Sequence, residues 1–336
     1  MSAAATLLAA ALAAHPKAPP EERGVALGLF SQDDRYDYTP LLREIAAHGA
    51  THVSVVWVWW QEDIRDVRIR RHPVWSASPR QVKRTVEAAR ELGLRVTLFP
   101  IVRLQTDDPQ QWRGRLAPRD EDAWWDSYSE YILTAAQLAE RGGATRLSVG
   151  SELLTREPMR ARWIELIERV RSRHPDLELL YSANWDHFKE VAFWDQVDVV
   201  GLTAYWELTR TPDPSVDELR RAWLPIIDEL SGWSDALGRP FVFTEVGYPS
   251  QDGGAAWPWN ETRKAEIDLV EQARAYEAFV SAWASQPRLS GVYFWNWFGF
   301  GGPEDDDYTP RGKPAADIMK TWFRSGGERP AGSLPP

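Results

Sequence analysis

The chain has 336 residues, a formal net charge of −10 and no cysteine, and 43% of its residues are hydrophobic. The length suits one large α/β barrel or two ordinary domains. The acidic balance speaks against a nucleic-acid or membrane-surface partner, and the absence of thiols excludes disulfides and thiolate metal sites.

Residues 1–20 are low in complexity. Thr6 to Ala14 is apolar and alanine-rich, and His15-Pro16-Lys17-Ala18-Pro19-Pro20 follows it. The pair reads as the h-region and cleavage site of a signal segment, although no basic residue precedes the run. A short helix or a disordered tail is the other reading. Export to a secreted or periplasmic location is the expectation, with a cytoplasmic location as the alternative. No other stretch is long and apolar enough to span a bilayer. Residues 21–326 read as one catalytic domain, with 327–336 as a tail.

From Gly24 onward, apolar strand-like runs alternate with amphipathic segments. The runs are Gly24–Phe30, Thr51–Trp59, Arg95–Val102, Arg146–Glu152, Leu177–Asn184, Val197–Tyr205, Phe241–Glu245 and Gly291–Trp297. Helices are predicted over Tyr38–His48, Ser78–Leu92, Asp120–Arg141, Pro158–His174, Asp186–Asp195, Pro214–Leu230, Glu261–Ser285 and Lys313–Phe323. Leu41, Leu42 and Ile45 share a face of the first, and Val82, Val86 and Ala89 a face of the second. Glycines 49, 93, 142 and 143 stand at helix stops.

Strict alternation of buried strand and helix implies a parallel sheet. Eight such units imply a single closed (β/α)₈ TIM barrel. The rival, a doubly wound open sheet, would carry a Gly-rich phosphate turn after an early strand. Gly28-Leu29-Phe30-Ser31 is not one.

In such a barrel the chemistry lies at the carboxyl ends of the strands. The seventh run, Phe241-Val242-Phe243-Thr244-Glu245, carries a carboxylate where it runs out, and Gly247 and Pro249 open a loop after it. A charge there is costly unless paired or used. The fourth run ends Val149-Gly150-Ser151-Glu152, with Glu152 in the same relative place. For either glutamate alone a salt bridge or a helix cap would serve. Together, three βα units apart, they can face each other across the barrel mouth. Two carboxyls over a cleft are the working parts of a glycosidase: one donates a proton to the leaving oxygen and the other stays ionised. A separation of ~5–5.5 Å gives retention and ~6.5–9.5 Å gives inversion.

The other strand ends supply candidate contacts to a β-linked oligo- or polysaccharide. These are Trp59, Arg103, Ser151, Asn184, Tyr205 and Trp295. Nineteen tryptophans exceed what a core needs, since each buried indole must place its N–H. Packing accounts for about half of them, and the rest read as flat platforms for sugar rings. Arg103 suits a hydroxyl clamp, a partner for a glutamate, or an ordinary ion pair. Tyr205 lies one strand before Glu245, within reach of that carboxylate; half-buried packing is its other reading. The six histidines form no metal pair, and the acidic run Glu304–Asp307 lacks the spacing of a calcium loop and reads as a solvated loop. No metal and no cofactor are expected, and a monomer is.

The segments Gly28-Leu29-Phe30-Ser31…Asp37-Tyr38, Val149-Gly150-Ser151-Glu152-Leu153, Ser182-Ala183-Asn184-Trp185-Asp186, Thr244-Glu245-Val246-Gly247-Tyr248 and Tyr308-Thr309-Pro310-Arg311-Gly312-Lys313-Pro314 come in an order that resembles glycoside hydrolase clan A. Within the clan the chain resembles family 113, whose characterised members are β-1,4-mannanases. The resemblance runs from about Gly24 to Phe323. It implies a retaining reaction with Glu152 as acid/base and Glu245 as nucleophile. It also makes Tyr205 the clan tyrosine that bonds the nucleophile, and Trp295 the aromatic that floors the sugar site. Most clan members carry Asn before the acid/base; here Ser151 stands there, which bears on how the sugar 2-hydroxyl is held. Mannan or glucomannan is the implied substrate. Another β-glycan, transglycosylation on the same machinery, and an inactive carbohydrate-binding barrel are the alternatives.

Overall fold

The computed structural model describes residues 18–108 and 110–325. The signal-like segment lies outside them apart from its last three residues, and the tail 327–336 lies outside them entirely. Eight parallel strands close into one barrel in sequence order: β1 (Glu22–Gly28), β2 (His52–Gln61), β3 (Arg95–Leu104), β4 (Arg146–Ser151), β5 (Glu178–Ala183), β6 (Val199–Thr203), β7 (Phe241–Val246) and β8 (Leu289–Phe294). β1 pairs with β8 to shut the ring. The helices are α1 (Thr39–Ala47), α2 (Pro79–Glu91), α3 (Glu121–Gly142), α4 (Arg160–Arg173), α5 (Val216–Leu237), α6 (Leu269–Trp283) and α7 (Pro314–Ser325). Among the described residues, no helix is long and apolar enough to cross a membrane.

Strand side chains alternate between two cores, as the period of two requires. Ala26, Val56, Val58, Phe99, Ile101, Leu180 and Val242 fill the barrel. Val25, Val53, Val55, Trp57, Phe241 and Phe243 face the helices. About half of the tryptophans, Trp124, Trp163, Trp223, Trp283 and Trp322 among them, are buried in that outer layer. The amino-terminal end of the barrel holds a polar cluster. Arg146 on β4 donates to Glu22 on β1 at 2.7 and 2.8 Å and to Glu178 on β5 at 3.0 Å, and the Tyr293 hydroxyl donates to Glu22 at 2.9 Å.

Local chemistry sets the helix ends. The Asp120 side chain accepts from Ala123 N at α3, and Ser215 and Glu218 form a reciprocal capping box at α5. Three expected helices need correction. Asp186–Asp195 is two short 3₁₀ turns, Phe188–Glu190 and Trp194–Gln196. Phe188 and Trp194 are both buried there, and the Trp194 indole donates to Phe188 O, so no continuous helical face forms. The helix expected to end at Leu230 runs on to Leu237, because Trp233 packs against Phe188 and Phe241 and carries the chain through Ser231-Gly232. The one expected from Glu261 begins only at Leu269. Asp268 caps it, and the Asn260 side chain folds the preceding residues into a turn.

Irregular pairing on β7 positions the site. Phe243 and Val246 both belong to the outer core, so Thr244 and Glu245 fall between two outward residues. The register shifts where Leu202 pairs Phe243 and Thr203 pairs Glu245. That bulge turns Glu245 inward, where strict alternation would point it at the helices.

Candidate active site

Glu152 and Glu245 are both buried, 5% and 3% exposed, and each interacts with Arg113 and with the other. Glu245 Oε2 accepts from the Tyr205 hydroxyl at 2.9 Å, while its Oε1 has no protein partner. Glu152 Oε1 accepts from Thr203 Oγ1 at 2.9 Å and from Asn184 Nδ2 at 3.3 Å. Its Oε2 accepts from the Arg113 guanidinium.

Glu152 sits just past β4 in left-handed backbone, with φ of 54°, a conformation a non-glycine residue holds only where its surroundings impose it. Its N–H donates to Ser182 O at 2.9 Å. The next N–H, of Leu153, donates to the Tyr181 hydroxyl, which in turn donates to the buried Glu157 at 2.8 Å. Neighbouring strands thus fix both ends of the turn that aims Glu152.

Burial and then the charge of Glu152 push Glu245 up to about 8, while the Arg113 guanidinium and the Tyr205 hydroxyl pull it down. Burial works against the charge on Arg113, but Glu152, Glu245, Glu261 and Tyr205 outweigh it, so the guanidinium stays charged. Tyr205 is held well above its usual range by burial and by Glu245, and remains a neutral donor. The arrangement sets two buried carboxyls beside one guanidinium.

Of the residues named from sequence, Asn184 bonds Glu152 and Tyr205 bonds Glu245, and the two carboxyls feel each other's charge. Ser151 is buried next to Glu152, with no protein partner for its hydroxyl. Trp295 packs against the barrel-interior cluster with its ring 6.3 Å from Phe30; its bond to Asn296 is cis. Trp59 needs correction. It faces outward and stacks on Tyr131 of α3 at 4.7 Å, so it lies in the helical layer. Its neighbour Trp60 is on the inner face with Val56 and Val58. Arg103 pairs with Glu261 at 2.7 Å and lies over Trp60, so the ion-pair reading holds for it.

Sequence reasoning missed Arg113, Thr203 and Trp60. Trp60 and Thr203 each lie two residues along from an inward neighbour, but the inward face of a doubly buried strand has no mark in the sequence. Arg113 stands on a short 3₁₀ turn, Arg113–Arg115, in the β3–α3 loop, and no pattern marks it. The run Glu304–Asp307 also needs correction. Asp305 is buried and pairs with Lys313 at 2.8 Å, so the run is not simply solvated. No group of His, Cys, Asp or Glu among the described residues has the arrangement of a metal site.

The model of Glycoside Hydrolase Family 113 matches residues 28–313. The chain belongs to that family. A GH113 β-mannanase from Alicyclobacillus acidocaldarius, solved in complex with ManMIm, is 30% identical and superposes with a TM-score of 0.81, covering 92% of this chain and 99% of its own. A GH113 β-1,4-mannanase solved as a complex is 23% identical at a TM-score of 0.80, covering 91% of this chain and all of its own. A β-D-glucuronidase from Dictyoglomus thermophilum shares the fold, at 14% identity and a TM-score of 0.61, over 91% of this chain and 51% of its own. No curated protein matches. As a family 113 member the chain is a glycoside hydrolase, acting on O-glycosyl bonds with retention, on a single (β/α)₈ barrel.

Proposed function

We propose that this family 113 enzyme is an endo-β-1,4-mannanase acting on mannan or glucomannan, with Glu152 as acid/base and Glu245 as nucleophile. The observation that carries the reading is the pairing of these buried strand-end carboxyls at β4 and β7, in a chain similar over its length to β-mannanases. In the first step a Glu245 oxygen bonds to the anomeric carbon. The bond to the departing sugar breaks, and the Glu152 proton passes to the glycosidic oxygen. In the second, Glu152 takes a proton from water, the water oxygen bonds to the anomeric carbon, and the ester to Glu245 breaks. The Tyr205 hydroxyl orients Glu245 and stabilises its ionised form. Stacking aromatics such as Trp295 suit the C–H face of a hexose.

Product analysis on a defined manno-oligosaccharide tests linkage and endo action, and a 2-fluoro-mannoside tests the nucleophile. Label on Glu245 is the expected result; glycan binding without turnover or labelling would favour an inactive barrel. Glu245→Ala should abolish nearly all turnover. Glu152→Ala should keep activity on aryl glycosides with good leaving groups, which need little protonation, and lose it on natural glycans. Equal loss on both would remove Glu152 from the acid role.

A further inference from the structure

The turn after β4 is braced by hydrogen bonds that a regular strand end does not need. Gly150 faces the helical layer, where an added Cβ would lie 2.8–2.9 Å from Tyr128, Trp163 and Tyr181. Two residues on, a regular strand would point the same way. Glu152 instead turns its carboxylate to Asn184, just past β5, and to Thr203 at the end of β6. It does so from left-handed backbone, at φ 54°. A glutamate with nothing to brace it leaves that conformation readily.

The bond from Glu152 N–H to Ser182 O, at 2.9 Å, continues the β4–β5 ladder. The next bond does not. Leu153 N–H donates to the Tyr181 hydroxyl at 3.1 Å, and that hydroxyl donates to Glu157 Oε1 at 2.8 Å. Glu157 N–H donates back to Leu153 O at 3.1 Å. A ring of bonds thus closes on the residue that follows Glu152. Its direction is fixed, because an amide N–H can only donate and the phenol hydrogen then has Glu157 as its acceptor. Tyr181 itself cannot shift. It is fully buried on β5, with Trp163 at 5.2 Å and Phe193 at 4.9 Å from its ring.

We propose that Tyr181 is a positioning residue for proton transfer: its hydroxyl, anchored on Glu157, holds the turn that aims the Glu152 carboxyl at the glycosidic oxygen. The proposal rests on the reading of Glu152 as acid/base. Tyr181 lies in the outer core, away from any bound sugar, and acts only through residue 152. Glu245 stands on β7 and takes its own hydrogen bond from Tyr205. A loosened turn after β4 therefore harms protonation of the leaving group and spares the attack.

The test is kcat/KM, which reports the first step, over a series of aryl β-glycosides with graded leaving groups and on the natural glycan. Tyr181→Phe keeps the ring and removes the hydroxyl. Its kcat/KM should stay within about threefold of wild type on a dinitrophenyl glycoside and fall by about 100-fold on the natural glycan, with the loss growing as the leaving group becomes more basic. A merely structural role would lower all substrates alike. A uniform loss, or none, overturns the proposal. Should that variant not fold, Glu157→Leu takes its place. It removes the anchor of the hydroxyl along with a carboxyl oxygen that has no partner, and it must show the same graded loss; a flat profile overturns the proposal again. Glu157→Gln, which keeps an acceptor for Tyr181, should restore the wild-type profile, and a graded loss as deep as that of Glu157→Leu counts against the relay. Glu152→Ala in the same series separates the two failures. A flat profile there sinks the acid role of Glu152, whereas a graded one beside a flat Tyr181→Phe sinks only the role of Tyr181.

Discussion

Glu157 is fully buried beside the turn that aims Glu152, and only one of its carboxylate oxygens has a partner. Burial pushes it up to about 7. A folded-state value above that of the unfolded chain means the native protein holds a proton that the unfolded chain has released. Stability from this group is therefore full below the ordinary glutamate range and falls as pH rises toward about 7. The span is worth on the order of 3 kcal/mol. Glu157→Gln keeps an acceptor for Tyr181 and cannot ionise, so its denaturation midpoint should fall less between pH 4.5 and 7.5 than that of wild type. Parallel curves would show that Glu157 is not the titrating group. At this scale the legible residues were those that broke a pattern. Glu152 and Glu245 are charges ending apolar runs, and two of them at matching strand ends are hard to explain as separate salt bridges or caps. Arg113 breaks no pattern, because arginines crowd its loop at Arg113, Arg115 and Arg119. Its contact with Glu152 comes from a fold in three dimensions that brings the loop over the end of β4. Trp59 and Trp60 were interchanged because, in a strand buried on both faces, hydrophobicity does not reveal the phase.

A buried ion pair inside the loop after β8 also ties that loop to Ser250 in the loop after β7. Lys313, at the start of α7, donates to Asp305 at 2.8 Å, Ser250 at 2.7 Å and the Asp307 carbonyl at 2.9 Å, with side chains 0% and 4% exposed for the Lys–Asp pair. Lys313→Met leaves Asp305 buried without its cation, at an expected cost of about 3–5 kcal/mol. The measurement is chemical denaturation, and a loss below about 1 kcal/mol would mean that water reaches Asp305. A double variant, Lys313→Met with Asp305→Leu, should recover part of the loss, because the unpaired charge is then gone. None of this was visible in the sequence, where four consecutive acids look like a solvated run. Eight strands were legible to within a few residues because barrel strands are continuous apolar runs. Helix limits were less so. Ser231-Gly232 has the composition of a stop, yet tertiary contacts of Trp233 extend α5 to Gly238, where the backbone does turn left-handed at φ 71°.

Across the whole molecule, exposed aromatic rings collect at one end. Tyr36 follows β1, Trp75 follows β2, Trp257 and Trp259 follow β7, and Phe300 follows β8. All stand on loops at the carboxyl face, the end of the barrel where Glu152 and Glu245 lie. Leu224, on the outer side of α5, is an exception among the large exposed side chains. Trp75 stacks on His72 at 4.1 Å and lies 5.3 Å from Trp60, which faces into the barrel, so aromatic surface continues from the interior to the rim. Isolated exposed rings need no explanation, whereas a set gathered at the strand-end face offers aromatic surface to a bound chain. A polymer lying across the mouth would reach these rings, and a short aryl glycoside would not. Trp75→Ala and Trp259→Ala should therefore raise KM several-fold on polymeric mannan and much less on the aryl substrate, with the kcat of each substrate little changed. The contrast between the two substrates is what the kinetics must show. An equal rise on both would place the rings within the catalytic pocket, and no rise on either would leave them without a part in binding.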